Sequence, residues 1–461
     1  MLTSTALNVV ILAAGRGTRM CSAQPKVMQK LAGRPVLQYV IQSARTLSPA
    51  KIIVVYGYGG AQVKAFLENQ DLILVEQPEL LGTGHALLQA VPYLDRGARI
   101  LVLYGDVPLI RAETLKLLID ACSENKLVLL TQFMKDPHGY GRIVRDLYGS
   151  VTRIVEEKDA DENLKEILEI NTGFMCIPET CLNDLLVRLE NGNAQKEYYL
   201  TDVVELAVSD GMNVDAVSIT DSDEALGIND RYQLACAEKA LRTRSALELL
   251  REGVTLMDPE RIDVRGEIVC GKDVEIDVGC IFEGKISIGN NVKVGAYSIL
   301  RDVYIGNDVK ILPYTLIEES HIDDSCRIGP YARIRPGTKL GREVHIGDFV
   351  EIKNATIGNE TKINHMSYVG DSEVGQRVNI GAGTITCNYD GANKNHTVIG
   401  DDVFIGSDSQ LVAPVVVESG ATIGAGSTIT RTVAEGTLAL SRVKQTSVSN
   451  WVRPQNNNKQ E

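Results

Sequence analysis

Two groups of residues in this chain have the types and spacing to do chemistry. The first is the string Leu12-Ala-Ala-Gly-Arg-Gly-Thr-Arg-Met20, followed by Pro25-Lys26. A glycine-rich turn lets the backbone come close to a phosphate, and its N–H groups point at the anion. Arg16, Arg19 and Lys26 add positive charge. A G-x-G by itself marks a tight turn just as often, so the weight rests on the whole string. The second group is Arg335, Lys353 and His365. Arg335 and Lys353 each follow an aliphatic residue, Ile334 and Ile352, and lie 18 residues apart. If one coil of the chain takes about 18 residues, they stack on one corner roughly 5 Å apart. Two such cations repel by about 1–3 kcal/mol, a cost that an anionic ligand relieves. A solvated pair with Glu351 as counter-charge satisfies the same spacing. His365 stands two residues past Ile363, at an outward corner, and small Ala382 holds the same place one coil on. That leaves room for a substrate beside a side chain suited to general-base work near neutral pH. A surface histidine with no such role fits the spacing too.

The elements that must hold these residues differ between the two halves. Val9–Ala14, Ile52–Val55, Leu72–Val75 and Ile100–Leu103 are short apolar runs separated by helical stretches. That alternation predicts a doubly wound α/β sheet over residues 1–230, with ligands beyond the carboxyl ends of its strands. Residues 231–253 read as a polar connecting helix ended by Gly253. Beyond it, aliphatic residues occupy 305, 311, 317, 322, 328, 334, 340, 346, 352, 357, 363, 369, 374 and 380. A period of six, with an occasional five, fits neither an amphipathic helix nor a meander. It predicts three short strands per coil of a parallel β-helix over 254–461. The register breaks after Thr386, because Ile399 comes 13 residues later where about six were due. A loop of roughly seven extra residues therefore leaves the prism to cover something. From Thr446 on, the tail is polar and expected to fray.

Composition narrows the classes of function. At 461 residues the chain is long enough for two or three domains. The net charge of −13, with no basic block, argues against nucleic acid as a partner. No apolar run reaches membrane-spanning length, and the first residues lack the basic region of a secretory leader. Nine scattered cysteines without a C-x-x-C pair fit a reducing compartment and do not form a zinc site. A soluble cytoplasmic protein acting on small anions is expected.

Taken whole, L-x-x-G-x-G-T-x-M followed by P-K resembles the sugar nucleotidyltransferases, which join a nucleoside triphosphate to a sugar 1-phosphate. Gln77-Pro78, Gly82-Thr83-Gly84, Tyr104-Gly105-Asp106, Gly139-Tyr-Gly-Arg142, Glu156, Asn171-Thr-Gly173 and Gly227-Ile-Asn229 fit that family in order. The resemblance implies Mg2+ on Asp106 and Asn229, and phosphates near Lys26. It implies uracil against Gln77, Gly82 and Thr83, and sugar against Gly141, Glu156 and Asn171. Leu12, Ala13, Ala14, Gly15, Tyr104 and Gly105 would complete the site for UTP and N-acetylglucosamine 1-phosphate.

The string IGAGTITCNYDGANK from Ile380 to Lys394, after NHMSYVGD and before IGDDVFIGSDSQLVAP, carries a second resemblance. It is similar to a family of bifunctional enzymes that couple N-acetylglucosamine-1-phosphate uridylyltransferase to glucosamine-1-phosphate acetyltransferase. That resemblance covers residues 7 to 445. It implies that His365 is the general base of acetyl transfer, and that Arg335, Lys353, Tyr368 and Asn379 hold glucosamine 1-phosphate. Ala382, Asn388, Tyr389, Ser407, Ala425 and Arg442 would line the acetyl-CoA site. It also implies a left-handed β-helix, a homotrimer with acetyl-transfer sites at its seams, and a product, UDP-N-acetylglucosamine, used for bacterial peptidoglycan and lipopolysaccharide. Two other readings compete: a nucleotidyltransferase whose β-helix is only structural or regulatory, and a regulatory subunit resembling the exchange factors. The intact N-terminal string with Asp106 argues against the second of these. Arg335, Lys353, His365 and the NYDG loop argue against the first.

Overall fold

The computed structural model describes residues 6–454. The first five residues, on which the leader reading partly rests, and the tail from 455 onward lie outside the described residues. The chain divides into two compact units between Thr243 and Arg244, a boundary that falls inside the helix Arg231–Arg251. Gly253, at φ +94°, takes the left-handed conformation with which helices commonly end. Among the described residues no helix is long and apolar enough to cross a membrane.

The first unit is a Rossmann-like α/β layer structure. Its main sheet runs in the order 213–218, 126–133, 169–178, 99–104, 7–13, 51–56, 73–76. The strands Leu7–Ala13, Lys51–Tyr56, Ile73–Glu76 and Arg99–Tyr104 pair in parallel. Each expected apolar run thus falls on a strand, with Ala14 and Leu72 lying just outside the strand ends. Glu169–Pro178 runs antiparallel to both its neighbours, so the sheet is mixed. Helix Val36–Thr46 lays Val36, Leu37, Val40, Ile41 and Ala44 on one buried face, the spacing that an amphipathic helix on a sheet requires. Parallel strands open toward their carboxyl ends, and the loops after Ala13, Glu76 and Tyr104 leave the sheet there.

The second unit is built of short parallel strands. The strands pair one coil on and skip the strands between, at steps of 17 or 18 residues for Ile311 with Ile328, Ile328 with Ile346, Ile346 with Ile363 and Ile363 with Ile380, and at 25 where the loop intervenes, as for Ile380 with Ile405. All fourteen aliphatic positions from 305 to 380 are buried in one continuous apolar core, joined by Ile399, Ile405, Leu411, Val417, Ile423 and Ile429. Burying an isoleucine this fully contributes about 1.5–3 kcal/mol, so the stack is the main support of this unit. Between the strands, corner residues adopt positive φ. Tyr297, Tyr314, Tyr331 and Phe349 lie at +55° to +60°, a conformation bulky side chains avoid. Their rings stack on one another at 5.1–5.3 Å, which offsets some of that cost.

Two candidate active sites

In the first unit the carboxyl ends of the strands open on a cleft of about 780 Å3. Leu12, Ala13, Ala14, Gly15, Lys26, Gln77, Gly82, Thr83, Tyr104, Asp106 and Asn229 all line it. The loop after strand Leu7–Ala13 can reach Lys26 because residue 17 is glycine. It sits at φ +61°, and a Cβ there would lie 2.6 Å from Lys26 Cβ. Lys26 Nζ forms an ion pair with Asp106 Oδ2 and donates to Asn229 Oδ1 at 3.0 Å. Asp106 and Asn229 come from segments more than a hundred residues apart. The backbone bond from Ile228 N to Asp106 O, 2.9 Å, ties those segments together. A carboxylate oxygen and an amide oxygen that already meet one ammonium fit a hard divalent cation, with substrate and water supplying its other ligands.

Gly105 adjoins this cleft without lining it, as do Gly141, Glu156 and Asn171, which form a neighbouring cluster. Asn171 N donates to Gly141 O at 2.8 Å, and a Cβ on Gly141 would stand 3.5 Å from the Glu156 carboxylate. Burial raises the pKa of Glu156, partly offset by the hydrogen bond from Thr201, 3.1 Å away. Burial also raises Tyr104, and Glu156 adds to that shift by its charge. Gln195 and Glu197 line the cleft as well. They come from a segment, Asn191 to Glu197, with no motif that could have singled them out.

In the second unit the register builds a single column. Ile346, Ile363, Ile380, Ile405 and Ile423 are successive partners. Asp348, His365, Ala382, Ser407 and Ala425 each stand two residues further on, so they fall one above another along one corner. Ala382 O accepts from Asp408 N at 2.7 Å, and Ser407 O from Gly426 N at 2.8 Å. Arg442 closes the far end, its Nη1 donating to Ala425 O at 2.9 Å. His365 is exposed, and its Nδ1 lies 2.6 Å from Asp348 Oδ1. The sequence reading missed Asp348. Its signal was the offset of 17 residues from His365, one coil back in the same column.

Arg335 and Lys353 lie at adjoining register positions, Arg335 N donating to Ile352 O at 2.8 Å. The expectation of two unpaired cations needs correction. Arg335 Nη1 bonds Glu351 Oε1 at 2.7 Å, because Glu351 points to the same face from the neighbouring strand. Tyr368 pairs in register with Glu351, which places it beside them. The loop after Cys387 starts from Asn388, whose Nδ2 donates to Asp371 at 2.5 Å and lies 3.4 Å from Tyr368 Oη. Burial alone would raise Asp371. Hydrogen bonds from Asn354 and Asn388, with the charge of Lys353, hold it below its ordinary value. Tyr389 is exposed on the loop, and two backbone N–H groups, of Asn393 and Ala392, pull Asp390 down to about 2. Burial raises the Cys387 thiol, which does not favour a nucleophile. Asn379 stands apart from Arg335, Lys353 and Tyr368. It pairs with Lys362 and lines a separate surface cavity of about 600 Å3 with His345 and Arg377.

Residues 9–171 match the MobA-like NTP transferase domain, and residues 264–350 and 317–419 match the GMPPB C-terminal domain. The chain is 55% identical over 450 residues to the "Bifunctional protein GlmU" of Nitrosomonas europaea, covering 97% of this chain and 98% of that one. It is 54% identical over 448 residues to the protein of that name from Burkholderia vietnamiensis, covering 97% and 99%. The protein of the same name from Ralstonia nicotianae is 52% identical over 448 residues, covering 97% and 98%.

Proposed function

The chain belongs to the family of bifunctional GlmU proteins, and from that premise we propose that each unit carries one of two successive reactions. The second unit acetylates glucosamine 1-phosphate with acetyl-CoA. The first then transfers UMP from UTP to N-acetylglucosamine 1-phosphate, giving UDP-N-acetylglucosamine and pyrophosphate. The observation that carries this reading is the coexistence of a phosphate-type cleft around Lys26 and Asp106 with a histidine–carboxylate pair on a column of small residues.

In uridylyl transfer, the sugar phosphate oxygen attacks the α-phosphorus of UTP and pyrophosphate leaves. The protein's task is to align two anions and shield their repulsion. The loop from Leu12 to Gly15 and the Lys26 ammonium receive the triphosphate. Gln77, Gly82 and Thr83 hold the uracil, Gly141, Glu156 and Asn171 the sugar, and Tyr104 and Gly105 lie between. Asp106 and Asn229 would hold Mg2+, which supplies charge neutralisation on the phosphate oxygens.

In acetyl transfer, Arg335 and Lys353 bind the sugar phosphate, with Tyr368 on the sugar. His365 accepts the amine proton as the nitrogen attacks the thioester carbonyl, and coenzyme A leaves as the thiol. Asp348 takes the Nδ1 proton of the ring as a hydrogen bond and keeps the other ring nitrogen free to act as base. The small side chains of Ala382, Ser407 and Ala425 make a lane for the acetyl-CoA arm, with Asn388, Tyr389 and Arg442 at its borders. The separation of Asn379 from Tyr368 supports sites completed between copies of the chain, as in a homotrimer of left-handed parallel β-helices. Such an enzyme would work in the cytoplasm.

Two separate assays test the assignment. Release of coenzyme A thiol must require glucosamine 1-phosphate and not UTP, and release of pyrophosphate must require N-acetylglucosamine 1-phosphate and not acetyl-CoA. A chain that makes pyrophosphate and never coenzyme A would instead be a single-activity nucleotidyltransferase.

A further inference from the structure

We propose that His85 is a positioning residue that locks the side-chain amide of Gln77 in one orientation and thereby makes the base site select uracil over cytosine. This rests on the reading that Gln77 faces the nucleobase. Gln77 is buried, its backbone held by a bond from Gln77 N to Tyr56 O at 2.7 Å. Its Nε2 donates to Gly82 O at 3.1 Å, and a carbonyl can only accept, so that contact identifies the nitrogen end of the amide. The same Nε2 lies 3.0 Å from His85 Nδ1. Both amide hydrogens are then spoken for only if Nδ1 carries a lone pair. The proton of the neutral ring therefore sits on Nε2, which lies 3.2 Å from Gln89 Nε2, a donor that also serves His85 O and does not accept that proton.

With both hydrogens engaged, Oε1 is the end of Gln77 left for a ligand in the cleft it lines. An oxygen acceptor pairs with the ring N3–H of uracil and opposes the N3 lone pair of cytosine. Discrimination of this kind is strong when the site's polar group is buried and has no alternative partner. His85 supplies the second of two anchors. Without it, one amide hydrogen is unpartnered, and the amide can turn to offer N–H where the base expects an acceptor.

The test uses the full-length enzyme with N-acetylglucosamine 1-phosphate and either UTP or CTP. His85→Phe is expected to lower the ratio of kcat/KM for UTP over CTP about tenfold, mainly through KM for UTP, with kcat nearly unchanged. His85→Asn, whose Oδ1 can accept, is expected to recover most of the ratio. If His85→Phe does not fold, His85→Leu carries the test, because it also removes the Nδ1 acceptor and should lower the ratio about tenfold. Gln77→Ala is the control and should abolish the preference. An unchanged ratio in His85→Phe or, failing that, in His85→Leu, beside a lost ratio in Gln77→Ala, overturns the role of His85. An unchanged ratio in Gln77→Ala overturns the reading of the base site itself.

Discussion

Asp348 Oδ1 lies 2.6 Å from His365 Nδ1, and the two residues are direct partners on adjacent parallel strands. One coil of the second unit thus orients the imidazole that stands on the next. A carboxylate on one ring nitrogen fixes the tautomer and leaves the other nitrogen's lone pair toward substrate.

His365→Ala should therefore cut acetyl transfer by about 10²-fold or more, the scale of losing a general base. Asp348→Asn should cost about tenfold in kcat with little change in KM, because it disturbs orientation and leaves the substrate contacts in place. Uridylyl transfer from UTP to supplied N-acetylglucosamine 1-phosphate should be unchanged in both. Coenzyme A thiol release and pyrophosphate release, read on the same preparations, check this.

Asp106→Ala and Asn229→Ala should abolish pyrophosphate release and leave coenzyme A release intact. Both oxygens meet the Lys26 ammonium, so removing either also unbalances that cation. Loss of both activities in a folded variant would speak against separate sites.

Arg335→Ala should raise KM for glucosamine 1-phosphate about tenfold or more while kcat falls less. A guanidinium–phosphate contact acts in the ground state and the transition state alike. Saturation curves for coenzyme A release at varied sugar phosphate decide it. A pure fall in kcat would move Arg335 from binding to the chemical step.

Asp202 gives a prediction about pH. Burial, with the Glu205 and Asp159 carboxylates nearby, raises its pKa from an ordinary 3.8 to about 6. Above that pH the folded protein carries an ionised carboxylate that would be better solvated on unfolding, which costs stability. As pH falls from 6 toward 4 the folded form takes up the proton first, and the cost disappears. Asp202→Asn should therefore stabilise the first unit at pH 8, by about 1 kcal/mol once the half-exposed setting is allowed for, and by nothing near pH 4. Paired melting curves of variant and parent across that range check it. A gain that did not vary with pH would point to a cause other than ionisation.

The repeat was the most legible feature of the sequence, because a core-facing aliphatic every six residues leaves no other way to bury them. Even Thr386, where the aliphatic series lapses, is buried, and its Oγ1 accepts from Gly370 N at 2.8 Å. The four apolar runs were also readable as strands. The antiparallel course of Glu169–Pro178 was not, since direction depends on the connection rather than on the residues of the strand. Tyr314 and Phe349 at left-handed corners were equally hidden. Rings stacked from neighbouring coils offset part of the preference against that conformation, and nothing in either residue announces the stack.

In the first unit the strings around Gly15, Gln77, Gly82 and Asp106 do meet on one cleft, while the part played there by segments without a motif was not legible. Glu351 beside Arg335 could be named but not weighed, because its carboxylate could equally have faced water. Gln195 and Glu197 sit in a loop whose path only the fold defines.

The most direct measurement is a single incubation of the purified chain with glucosamine 1-phosphate, acetyl-CoA carrying a 13C-labelled acetyl group, UTP and Mg2+, followed by mass spectrometry. Two chemistries in one chain predict UDP-N-acetylglucosamine bearing the labelled acetyl group, together with free coenzyme A and pyrophosphate. A nucleotide sugar formed only when N-acetylglucosamine 1-phosphate is supplied, with no coenzyme A released, would contradict it.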